Sequence, residues 1–120
     1  MRDHIIKSLQ DAIEKAKNWA NEGWVVTFGP HQHEVNSLKA AMEVPRRFSH
    51  REEALAYWRN VQTISEDVVK HLEGALKDLE KDNLTAAEKK VYAAKYMEKP
   101  LEHLTQTSQP IYELIQADLG

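Results

Sequence analysis

Cysteine is absent from this 120-residue chain. That excludes disulfide frameworks, thiolate metal sites and cysteine nucleophiles together. Glycine and proline are scarce, with four of each, so the punctuation that many short strands require is missing. No apolar run approaches the ~20 residues that span a bilayer. The opening "MRDHIIKSLQ" lacks the continuous apolar segment of a signal peptide. The expectation is a cytoplasmic protein with no membrane span. An excess of positive charge is missing as well. The 16 basic and 19 acidic side chains are interspersed, for a net charge of −3, which leaves no basic face for a nucleic acid. There is no nucleophile elbow, no phosphate-cradling glycine loop and no carboxylate pair at inward positions. No catalytic residue is assigned, and the chain is expected not to be an enzyme.

What is present is helical periodicity. From Arg2 to Asn21, Ile5, Ile6, Leu9, Ala12, Ile13, Ala16, Trp19 and Ala20 recur every three or four residues, the stripe of a helix with one buried face. Gly23 and then Gly29-Pro30 break the chain. Val25, Val26 and Phe28 could close the end of the core; a lone short strand there would have no obvious partner. A second, short helix is expected over His31 to Val44, with Val35, Leu38 and Met42 on one face and Pro45 ending it. Ser49 and Glu52 form a capping box for a third helix. Its seam is Trp58, Val61, Ser65, Val68, Leu72, Ala75 and Leu79. Thr85 and Glu88 make a second capping box. Beyond it Val91, Ala94, Met97 or Glu98, Leu101, Leu104, Ile111 and Ile115 carry the period onward, interrupted by Pro100 and Pro110, each of which should kink or restart the helix. "IKSLQDAI" at Ile6–Ile13 also matches "VKHLEGAL" at Val69–Leu76 position by position. The fold expected for residues 1–120, as a single domain, is all-α: an antiparallel up-down-up-down four-helix bundle with a short second helix and a proline-kinked fourth.

Four of the five arginines, Arg46, Arg47, Arg51 and Arg59, cluster at the corner before the third helix. Guanidinium forks beside a helix N-terminus suit carboxylate or phosphate, so this corner is a candidate partner- or anion-binding site. Glu52 and Glu53 could equally pair with it as a solvated corner. Trp19, Trp24 and Trp58 could line a pocket, although large aromatics on helix stripes usually pack as core. Six histidines are present, without the H-x-x-x-H, H-x-x-E-H or E-x-x-H spacing of a helical metal site. His4, His71 and His103 could still meet across helices and bind zinc or haem iron. The hairpin from His71 to Leu104 resembles those of small periplasmic metal-binding helical proteins and of b-type cytochrome bundles.

"HEVNSLKAAM", His33 to Met42, resembles the H-box of sensor histidine kinases, with Val35 where that box has an aromatic residue. The resemblance implies a stand-alone phosphotransfer bundle in which His33, exposed on a helix, carries the phosphoryl group. "GWVVTFGP" is similar to an element of the extrinsic four-helix subunits of photosystem II, which implies a bundle that works by docking. The leading expectation is a non-enzymatic interaction or ligand-binding module without a cofactor. It would dock a protein partner, or a second copy of itself, through the Arg-rich corner or an apolar helix face.

Overall fold

A computed structural model describes residues 3–19, 24–28, 31–35, 50–101 and 106–120, the side chains of 24–28, 31–35, 50–54 and 57 excepted. In chain order these residues form α1 (Asp3–Lys17), β1 (Trp24–Phe28), β2 (His31–Val35), α2 (His50–Glu80), α3 (Leu84–Glu98), a 3-10 turn (Lys99–Leu101) and α4 (Ser108–Leu119). The four helices pack in a ring. α1 lies against α2, α2 against α3, α3 against α4, and α4 back against α1. The protein is an antiparallel four-helix bundle, as expected, but its four helices are not the expected four: residues 31–35 contribute a strand, and the expected fourth helix is two.

Most of the buried residues are those the periodicity selects, while Leu84 and Ala87 join the core unselected and the selected Ile6 and Trp58 are only half-buried. Ile5, Leu9, Ala12, Ile13 and Ala16 of α1 face Val61, Val68, Leu72, Ala75 and Leu79 of α2 across a core that Val91, Ala94, Leu101, Ile111 and Ile115 complete. The Ser65 hydroxyl donates to the Ala16 carbonyl at 2.5 Å, which sets the register of the antiparallel α1–α2 pair. In that register Leu9 and Leu72, both fully buried, stand at about the same level. The two similar octapeptides therefore run antiparallel beside each other, so the repeat has a packing correlate: each segment offers its neighbour the same small-and-large profile.

Between α2 and α3 the chain reverses in three residues. Asp82 adopts φ 60°. Its N–H donates to the Leu79 carbonyl at 3.0 Å, and the Asn83 N–H donates to the Asp78 carbonyl at 2.8 Å. This is a Schellman closure with aspartate in the left-handed position that glycine usually takes. The Asn83 side chain then caps α3, accepting from the Ala86 N–H at 3.2 Å. The expected capping box at Thr85 and Glu88 is thus displaced by an earlier cap. Starting the helix at Leu84 buries that side chain, which a start after Thr85 would forgo. The box expected at Ser49 is compatible with α2 beginning at His50, but Ser49 lies outside the described residues.

Two other expectations change. Residues 31–35, expected as the first turn of a second helix, form strand β2 and pair antiparallel with β1, with Trp24 opposite Val35 and Phe28 opposite His31. The β-branched and aromatic run "WVVTF" favours an extended chain, and two residues separate the strands, the spacing of a tight hairpin. β1 lies against α2. Residues 36–44 of that expected helix lie outside the described residues. The proline-kinked fourth helix is two helices. α3 ends at Glu98, Pro100 falls in the 3-10 turn, and α4 begins at Ser108 with Pro110 in its first turn. There the missing proline N–H costs no intrahelical bond.

Candidate functional site

The outer seam between α3 and α4 carries the most exposed aromatic surface among the described residues. Tyr92, Lys95 and Tyr96 of α3 and Lys99, the C-cap residue that opens the 3-10 turn, are related by three- and four-residue spacings, so they form one stripe. Buried Val91, Ala94 and Glu98 hold the opposite face in the core. Gln106 and Gln109 stand across from the stripe, and the six residues line a surface groove of about 440 Å³. A volume of this order is in the range of ligand pockets. Tyr92 is 53% exposed and Tyr96 71%. The Tyr92 and Tyr112 rings meet at 5.6 Å with a 53° tilt. The Lys95 ammonium sits 5.0 Å from the Tyr112 ring centre and 5.9 Å from that of Tyr92, which fixes the cation against two aromatic faces. The Gln109 amide donates to the Glu113 carboxylate at 2.8 Å, and the Gln106 amide to the Leu101 carbonyl at 3.1 Å.

The floor beneath this seam is held by a buried carboxylate. Glu98, the last residue of α3, is fully buried. Its Oε1 accepts from the Thr107 N–H at 3.2 Å and the Ser108 N–H at 2.9 Å. Its Oε2 accepts from the Thr107 hydroxyl at 2.9 Å and the Ser108 hydroxyl at 3.1 Å. One side chain therefore caps the N-terminus of the next helix, where the aligned peptide dipoles favour negative charge. All four donors come from the protein itself, so the carboxylate is saturated and its chemistry is structural. It fixes how α4 meets α3, and so the shape of the groove above it. Periodicity alone left Met97 and Glu98 as equal candidates for the inward position. A glutamate on a seam followed by a Thr-Ser pair at a helix start is the signal that would have separated them.

Of the arginine and histidine candidates, only Arg59, His4 and His71 have described side chains. Arg59 is exposed on α2. Arg51 lies in the first turn of the same helix, its side chain outside the described residues, as are Arg46 and Arg47 altogether. His4 is exposed in the first turn of α1. His71 is half-buried on α2, its Nδ1 2.8 Å from the Asp67 carbonyl. In the α1–α2 register, His4 and His71 differ in level by about six residues, roughly 9 Å along the bundle. His103 lies outside the described residues. Among the described residues no three histidine, aspartate or glutamate side chains converge as a metal-binding group. His33 lies on β2 opposite Val26, not on the helix that the H-box resemblance implies. The Trp58 indole N–H on α2 is buried without a hydrogen-bond partner, and Trp19 is buried as an end plug of the core. No helix among the described residues is long and apolar enough to cross a membrane. No protein-family model, curated protein or solved structure matches the chain.

Proposed function

We propose that this chain is a non-enzymatic binding module that engages a protein partner along the α3–α4 groove. The observation that carries the reading is the exposure of Tyr92 and Tyr96 on one stripe with two lysines. Tyrosine offers large contact area at little cost in side-chain entropy and is enriched at interfaces. The stripe lies on α3, which Glu98 ties to the start of α4 by hydrogen bonds to the Thr107 and Ser108 N–H groups; a surface held in place before binding lowers the cost of association.

The test compares three forms of the full chain as bait: wild type, Tyr92→Ser/Tyr96→Ser, and Arg51→Glu/Arg59→Glu. The tyrosine positions are exposed, so their substitution should leave the helical circular dichroism intact. A partner bound by wild type should be weakened at least about tenfold by the tyrosine variant, the size expected when central aromatic anchors are lost. The arginine variant should retain it. The opposite pattern would move the binding surface to the Arg-rich corner and refute the assignment to the groove. A dimer in sedimentation that disappears only in the tyrosine variant would make the partner a second copy of the chain.

A further inference from the structure

The tyrosine stripe is complementary to itself. Glu88, Tyr92, Lys95 and Lys99 follow one another at spacings of four, three and four residues, which sets them on one line along the helix. Lys99 keeps helical dihedral angles, φ −53° and ψ −41°, so the line reaches its end unbroken. Glu88 and Lys99 lie equally far from the midpoint of the line, roughly 8 Å along the axis. Tyr92 and Lys95 also lie equally far from it, at roughly 2 Å. A two-fold axis through that midpoint therefore lays Glu88 of one copy over Lys99 of the other, and Tyr92 over Lys95, each pair occurring twice. That is the symmetry of an isologous dimer. The two helices run antiparallel. A parallel pairing would set Glu88 on Glu88 and Lys95 on Lys95, which like charge opposes.

Opposite charges alone do not single out this line, since Lys7, Asp11 and Glu14 of α1 are exposed as well. The α1 group has no aromatic residue among its charges. Here Tyr92 and Tyr96, which with Leu119 are the exposed large apolar side chains among the described residues, both stand within one turn of the midpoint. The Lys95 ammonium already lies 5.0 Å from the Tyr112 ring centre, and a tyrosine from a second copy adds a further face to the same cation. Resting on the binding reading above, we propose that the partner along α3 is a second copy of the chain, docked antiparallel about a two-fold axis between Tyr92 and Lys95.

Sedimentation equilibrium of the full chain, up to about 500 µM, reads the dimer directly. Wild type should associate, and Tyr92→Ser/Tyr96→Ser should be monomeric. Glu88→Lys and Lys99→Glu should each weaken the dimer about five- to tenfold, because each reversal sets two like-charged pairs face to face. Mixed in equal amounts, the two single variants should associate with about wild-type affinity, since opposite charges then meet at both ends. If Glu88→Lys folds poorly by circular dichroism, Lys99→Glu keeps the test readable, because its difference from wild type should fade in about 0.5 M salt. A chain that stays monomeric throughout overturns the second-copy assignment and leaves the groove to a different protein, which capture with the tyrosine variant decides separately. A dimer that the tyrosine substitutions do not disturb, or one that the single reversals weaken and their mixture does not restore, would overturn it as well.

Discussion

Glu98→Ala is expected to destabilise the chain by about 3–5 kcal/mol, a large share of the ~5–15 kcal/mol that holds a domain of this size together. The substitution removes the acceptor for the Thr107 and Ser108 N–H groups, and an unpaired buried donor costs about 1–3 kcal/mol. It also leaves a cavity where the side chain stood and removes the cap from α4. The two hydroxyls can turn to other acceptors, but the backbone groups cannot. Glu98→Gln should cost only about 1–2 kcal/mol. Its carbonyl can still accept from both N–H groups, and its amide can donate to hydroxyls that rotate to receive it; what is lost is charge assistance and the dipole interaction. Urea unfolding of the two variants measures both effects. If Glu98→Ala costs less than about 1 kcal/mol, the carboxylate is not what joins α3 to α4.

Leu72→Ala should cost about 2–5 kcal/mol, the range for truncating a fully buried leucine. Leu72 is fully buried and shares its level with Leu9, so the cavity would open where the two similar octapeptides pack. The helical backbone on either side resists collapse into the space. Glu73→Ala, one residue along and exposed, serves as control and should stay within about 0.5 kcal/mol of wild type. Thermal and urea unfolding of the pair check the assignment of the inward face. Similar losses at both positions would mean that α2 is rotated from the orientation described.

The bundle was legible because amphipathic helices write their buried face into the sequence at a fixed period. Trp58, Val61, Ser65, Val68, Leu72, Ala75 and Leu79 are readable as one seam, and all are buried except Trp58, which is half-buried. The hairpin was less so. "HQHEV" has no strong preference, and its extended form depends on pairing with "WVVTF", a tertiary fact. Pro100 and Pro110 marked the break between α3 and α4 but not which fragment would begin where, since proline is forbidden inside a helix and welcome in its first turn. The groove was not legible at all. Tyr92 and Tyr96 had no recognisable partner in sequence, because Gln106 and Gln109 reach them only once Glu98 has folded α4 back along α3. The arginine and histidine candidates rest on closeness in sequence and on an assumed helix register, neither of which says which faces converge.

Amide hydrogen exchange on the chain with and without a captured partner tests most directly whether the α3–α4 groove is the binding surface. Slowed exchange should fall on residues 92–99 and 106–113, with the first turns of α2 unchanged. Protection at residues 50–60 of α2, with α3 and α4 exchanging as they do in the free chain, would contradict the assignment and place recognition at the arginine corner.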